Sequence, residues 1–178
     1  DMYGCIITEP VSPGSHLGAL FLHNAGFSTM CGHGIIALTT VALETGLIKL
    51  RGTNPTLKID TPAGLISATA GKAKKKVKDV SFLNVPSFVY ALDKTVNVAG
   101  LGNIKVDVAF GWAFYALCRA EDLGVRLISE DFRHLIQVGR RVKQAVMEYL
   151  SIVHPFENDL GCLYPTTIIG DPQNPAHH

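Results

Sequence analysis

The sequence predicts an α+β fold made in two halves, each a set of strands served by one helix. Three observations carry that prediction. Short apolar runs bounded by Gly, Pro and Asn recur along the whole chain, which is the pattern of strands and turns. Only two stretches hold apolar residues at helical spacing, one in each half. The chain of 178 residues is 47% hydrophobic and 17% charged, apolar enough to bury a substantial core, and its length suits one large domain or two small ones.

Residues 5–8 (CIIT) read as a strand and 9–16 as a turn rich in Pro and Gly. Leu17–His23 is a mostly apolar run consistent with a buried strand, and Asn24–Thr29 reads as loop. A helix is predicted from about Gly32 to Thr45, with Ile35, Ile36, Leu38, Val41 and Ala42 on one face and Gly46 as its stop. Strands follow near Leu57–Thr61 and Leu65–Ala70, joined by Pro62-Ala63-Gly64, and another at Val77–Val85. Pro86 and the segment SFVYALDK mark a crossing between two domains, 1–90 and 91–178. Thr95–Val98 and Ile104–Ala109 form a hairpin around Gly100-Leu101-Gly102-Asn103, and Ala113–Arg119 resumes a strand. Ser129 or Asp131 caps a long helix through about Tyr149, with Phe132, Leu135, Ile136, Val142, Val146 and Leu150 along its apolar face. Cys162–Ile169 is the closing strand.

Charge excludes several function classes. The net charge is +1, so no general field gathers nucleic acid or acidic lipid. The one basic run, Lys72–Lys78, carries no aromatic residue and reads as a solvated hairpin tip. The longest apolar stretch, Gly34 to Leu43, is too short to span a bilayer, and the opening DMYGC has no secretory pattern. Cys5, Cys31, Cys118 and Cys162 form no CxxC pair, so reduced cytoplasmic thiols are expected and a zinc site is not. Both ends read as cut: DMYG runs straight into a strand, and DPQNPAHH leads into no element.

The segment Ser28-Thr29-Met30-Cys31-Gly32-His33-Gly34 carries the chemistry. It sets a cysteine between a loop and the first turn of a helix, where helix amides bias a thiol toward thiolate. Gly32 and Gly34 let a ligand approach the backbone, and the amides of Gly32 and His33 are then placed to hold a carboxylate. A thiolate base beside such a site is what removal of an α-proton from an amino acid requires, because the carbanion's charge spreads into the carboxylate. From the residues alone a second reading stands beside this one: a free cysteine serving as a buried small hydrophobe. Cys31 and His33 lack further ligands at metal-binding spacing.

The string HNAGFSTMCGHGIIAL (23–38) closely resembles the proline racemase family of proline racemases, hydroxyproline 2-epimerases and trans-3-hydroxy-L-proline dehydratases. The likeness continues through DMYG (1–4), LGALFLHN (17–24), DTPAGL (60–65), NVPSF (84–88), VDVAFGWAFYA (106–116) and HP (154–155). The resemblance implies that Cys31 is the catalytic proton acceptor and that Gly32 and His33 bind substrate. It implies a diaminopimelate epimerase-like α+β fold of two pseudo-symmetric domains, each wrapping antiparallel strands around a central helix, with the active site in a cleft and both domains incomplete here. The family's second motif, DRSPCGTG or DRSPTGTG, does not occur before His178. Two departures bear on pocket shape: Ala25 where the family usually has Glu, and Trp112 where it has the second Gly of FGG.

The reaction implied is cofactor-independent. Two cysteines, one on each face of Cα, serve racemases and epimerases, whereas a single Cys31 with Thr at the second position serves dehydration of trans-3-hydroxy-L-proline to Δ1-pyrroline-2-carboxylate. The motif and Ala113-Phe114-Tyr115-Ala116 lean toward the dehydratases. Proline racemase or hydroxyproline 2-epimerase activity is the alternative, and a non-catalytic fragment is a third reading. The expected partner is a proline-derived small molecule, with no metal, nucleic acid or membrane and with a homodimer left open. Cys31 is expected in a cleft, where full burial in apolar packing would count against its role, and as the most reactive thiol.

Overall fold

A computed structural model describes residues 3–24, 26–74, 76–172, 174 and 176. Chain contacts divide it into two compact units, Asp1–Pro86 and Ser87–His178.

The first unit holds β1 (Gly4–Thr8), β2 (Leu17–His23), β3 (Gly26–Ser28), α1 (Gly32–Glu44), β4 (Thr56–Thr61), β5 (Gly64–Ala73) and β6 (Lys76–Leu83). One six-stranded sheet runs β1-β2-β4-β5-β6, with β3 paired to β2. Its pairings are antiparallel except β2 with β4, which align in parallel at Leu17↔Ile59 and Gly18↔Asp60. The parallel step follows from the crossover through α1, which returns the chain to the sheet in its original direction. Alternate residues Leu57 and Ile59, and Ile66, Ala68 and Ala70, point inward from β4 and β5. Over β5 and β6, α1 buries Ile35, Leu38, Thr39, Ala42 and Leu43, which share one face at helical period. The small Ala68 and Ala70 let that helix seat closely on the sheet. Gly46, at φ 77, ends α1 in the left-handed conformation that favours glycine.

The second unit holds β7 (Phe88–Val98), β8 (Gly102–Phe110), β9 (Phe114–Arg119), α2 (Phe132–Tyr149) and β10 (Leu163–Ile169). Its sheet runs β10-β9-β8-β7. β7, β8 and β9 form an antiparallel meander, and β10 returns in parallel to β9 after α2. The strands of this sheet are mainly antiparallel, as expected, and its one parallel pairing follows from the α2 crossover. Val138, Val142 and Val146 make the buried stripe of α2. The segment SFVYALDK, read as a crossing between domains, begins the second unit and from Phe88 on is the first part of β7, hidden from a sequence reading by bulges between Val89 and Lys94. At that bulge Asp93 has φ 52, and its N–H donates to Asp107 Oδ1 at 2.8 Å. His154 is buried among the rings of Phe88, Phe110 and Phe114, with Nδ1 accepting the Glu157 N–H at 3.1 Å, so the His-Pro pair orders a loop.

Candidate active site

The turn from β3 into α1 is fixed by two hydrogen bonds. Ser28 Oγ donates to the Met30 carbonyl at 2.7 Å, and the Ala63 N–H donates to the Thr29 carbonyl at 3.1 Å. Cys31 then takes the N-cap position with extended φ −145 and ψ 109, and its carbonyl accepts the first helical bond from the Ile35 N–H at 2.8 Å. The amides of Gly32, His33 and Gly34 therefore have no acceptor within the helix. No side chain caps this end and no acidic residue lies in the first turn, so its positive dipole end is uncompensated.

Both glycines answer to close packing. A Cβ on Gly32 would lie 3.0 Å from Phe82 Cζ, and one on Gly34 would lie 2.7 Å from Phe21 Cε1 and 3.2 Å from Cys31 Sγ. The helix thus begins pressed against the Phe21 ring, with the Cys31 sulfur beside it.

That packing departs from the expectation that Cys31 stands in a cleft: it is only 4% exposed. Its covering is polar as well as apolar. Sγ lies 3.4 Å from His33 Nδ1 and 3.3 Å from Nε2, so the sulfur rests against the imidazole and either nitrogen can exchange a hydrogen bond with it. The His33 ring is held edge-on by Tyr3 at 5.3 Å and 77°, and Tyr3 also lies 5.1 Å from His23. A cavity of about 330 Å³ opens next to these groups, lined among others by Tyr3, Cys5, Phe21, His33, Gly34 and Val41. Tyr3 and Cys5 were not singled out from the sequence. Alternation puts Tyr3, Cys5 and Ile7 on one strand face, but only the pairing of β1 with β2 aims that face at His33.

The four cysteines are free and their surroundings differ. Burial pushes the Cys5 thiol up, and the Cys31 charge adds to that. Cys118 is pushed up to about 11, first by burial and then by Asp122. Among the described residues no group of three or more His, Cys, Asp or Glu is placed to hold a metal ion. Among the described residues no helix is long and apolar enough to cross a membrane.

Of the two departures from the family pattern, Ala25 lies outside the described residues. Trp112 has φ 114, a conformation that favours glycine, and its ring packs at 5.5 Å from Tyr115 and 5.3 Å from Tyr164. A non-glycine residue there carries roughly 1–3 kcal/mol of strain.

A family model described as proline racemase matches residues 1–178. The chain is 46% identical over 178 residues to a trans-3-hydroxy-L-proline dehydratase of Colwellia psychrerythraea, covering 100% of this chain and 50% of that protein. It is 41% identical over 172 residues to the protein of the same name from Homo sapiens, covering 94% of this chain and 49% of that one. Among solved structures it is similar to a probable proline racemase of Agrobacterium radiobacter with bound carbonate, at TM-score 0.84 and 25% identity over 92% of this chain and 48% of that one. A hydroxyproline epimerase of Agrobacterium vitis with bound trans-4-hydroxy-L-proline matches at TM-score 0.80 and 25% identity, over 96% and 49%. The chain spans about half the length of the curated relatives it matches. A family match along the whole chain, and a fold shared with two of the family's solved members, establish that the chain belongs to the proline racemase family.

Proposed function

We propose that the protein dehydrates trans-3-hydroxy-L-proline to Δ1-pyrroline-2-carboxylate without a cofactor, with Cys31 as the base and Gly32 and His33 as the carboxylate-binding residues. The observation that carries this reading is the start of α1, where a thiol, an imidazole and uncompensated helix amides converge. The names of relatives at 41–46% identity support the choice of reaction.

The first-turn amides accept a substrate carboxylate, and the dipole end of α1 favours its charge. The Cys31 thiolate takes the Cα proton, and the electron pair left on carbon spreads into the carboxylate. The same amides stabilise that developing charge, so they act more strongly on the transition state than on bound substrate. The pair then forms the Cα–C3 double bond as the C3–O bond breaks. The proton taken from Cα and the departing hydroxyl together make one water, and the enamine tautomerises to the cyclic imine. His33, in contact with the sulfur, is placed to hold the thiolate as a hydrogen-bond donor. A reducing, cytoplasmic setting fits the four free thiols.

The test is run on the full-length protein in D2O, with trans-3-hydroxy-L-proline and L-proline in separate reactions. The expected result is imine trapped by o-aminobenzaldehyde from the first substrate only, and none in Cys31→Ala. Deuterium at Cα of proline together with growing D-proline would replace the dehydratase reading with the racemase one.

A further inference from the structure

We infer that Cys5 and Cys31 form an oxidisable thiol pair, joined by a disulfide that closes the Cys31 sulfur to all other chemistry. The inference does not rest on the proposed reaction.

The register of the sheet carries it. Cys5 pairs with Phe21, and Phe21 pairs with Ser28, so the three residues stand in a row across β1, β2 and β3. Directly opposed residues project to one face of a sheet. Phe21 and Ser28 are both buried there, beneath the start of α1. Cys5 therefore projects to that face too, one strand from Phe21, a spacing of about 4.8 Å. Cys31 reaches the same ring from the other direction, because its Sγ and the Phe21 Cε1 both crowd the Cβ position of Gly34, at 3.2 and 2.7 Å. Cys5 and Gly34 also share the lining of the 330 Å³ cavity, and Cys5 is exposed, which gives a small oxidant an entry. Burial first, and then the Cys31 charge, push the Cys5 thiol up, so the two sulfurs are near enough to interact. Cys118 and Cys162 belong to the second unit.

With hydrogen peroxide as oxidant the step balances. One thiolate attacks a peroxide oxygen; an S–O bond forms, the O–O bond breaks and hydroxide leaves. The second sulfur, having lost its proton, attacks the sulfenic sulfur; the S–S bond forms, the S–O bond breaks and a second hydroxide leaves. Two thiols give up two electrons and two protons in all, and one peroxide becomes two waters.

The sequence makes the product easy to read. No Lys or Arg precedes Lys49, so trypsin alone leaves both cysteines on one peptide, and Pro10 blocks cleavage after Glu9; chymotryptic cleavage after Phe21 and Phe27 puts them on separate ones. The reduced chain is treated with a few-fold excess of hydrogen peroxide, blocked with iodoacetamide, cut with chymotrypsin and trypsin without reduction, and weighed. We expect peptides 4–21 and 28–49 linked, lighter by two hydrogens than their sum, with Cys31 labelling lost and then restored by dithiothreitol. In Cys5→Ser, and in Cys5→Ala as a check on folding, Cys31 should instead pass to sulfinic acid, and dithiothreitol should recover its labelling roughly tenfold less well. Absence of the linked peptides in the native chain would overturn the inference. So would Cys31 oxidation that is equally reversible with and without Cys5. The readout is a bond and not turnover, so its failure leaves the assignment of Cys31 as the base standing.

Discussion

The two helices of this chain are built on opposite plans. α1 is apolar around much of its girth, carries no acidic residue in its first turn and begins at a thiol. α2 buries one stripe of valines, and Glu130 and Asp131 stand immediately before it. Those two carboxylates bring negative charge up to the positive end of α2; Asp131, its N-cap residue, makes no side-chain bond to a helix amide and is instead gripped by Arg126 through Nε at 2.9 Å and Nη2 at 3.0 Å. Nothing of the kind meets the end of α1. A helix terminus already supplied with acid is finished as structure; one left without it can receive an anion from outside.

The largest effect that tests this contrast is on turnover. Cys31→Ala should lower kcat of the full-length protein by about three orders of magnitude or more while leaving far-UV circular dichroism unchanged. Loss of activity together with loss of helix signal would show Cys31 to be a packing residue, with no more chemistry than α2 has.

The glycines of the two helices should answer oppositely to alanine. In α1, Gly34→Ala puts a methyl 2.7 Å from Phe21 Cε1 and should cost about 1–3 kcal/mol in urea unfolding. In α2, Gly139 meets nothing closer than Thr166 Cβ at 3.9 Å, so Gly139→Ala should gain roughly 0.5–1 kcal/mol from helix propensity. Equal signs in the two experiments would break the comparison.

Strain is instead concentrated in the second unit. At Trp112, both Gly and Ala delete the contacts with Tyr115 and Tyr164, but only Gly relieves the backbone at φ 114. Trp112→Gly should therefore be more stable than Trp112→Ala by about 1 kcal/mol, measured by thermal unfolding.

The smallest effect concerns the carboxylate that anchors the first unit's loop. Burial acts to raise Asp60, but hydrogen bonds from Ser12, Val11 and Ser15 outweigh it and hold the group at about 2, against an ordinary 3.8. The backbone donors are the Val11 and Ser12 N–H groups, at 2.7 and 3.0 Å. A lowered folded value means the contribution is present above 3.8 and fades as pH falls toward 2. Acid unfolding of Asp60→Asn should lack that component, and a midpoint shift on substitution as large at pH 3 as at pH 7 would refute the assignment.

Strands that alternate cleanly, such as Thr56–Thr61 and Gly102–Phe110, could be read from sequence because burial follows the period of two. β3 could not: three residues, Gly26-Phe27-Ser28, carry no period, and they are a strand only because β2 offers its edge. The first part of β7 was lost to its bulges, which shift the alternation between Val89 and Lys94. At the candidate site, Cys31, Gly32 and His33 lie within one turn and were legible as a local motif. Tyr3 and Cys5 come to the same place through register, a long-range property that no local pattern encodes. The burial of Cys31 agrees with the second reading of the residues alone, but local pattern could not select it, since it depends on how closely Gly34 lets α1 approach Phe21.

The composition of α1 has a consequence for how long its first turn keeps its shape. Gly32, Gly34, Ile35, Ile36, Thr39, Thr40 and Val41 are all weak helix formers, so the segment lifted off the sheet would not stay coiled. The direction of its leading N–H groups is then maintained by Ile35, Leu38, Ala42 and Leu43 against β5 and β6, not by the segment itself. Amide exchange along α1 reports the free energy of that local opening. An anion held at Gly32 and His33 binds only the docked form, so it should slow exchange through to Leu43, well beyond the residues it touches.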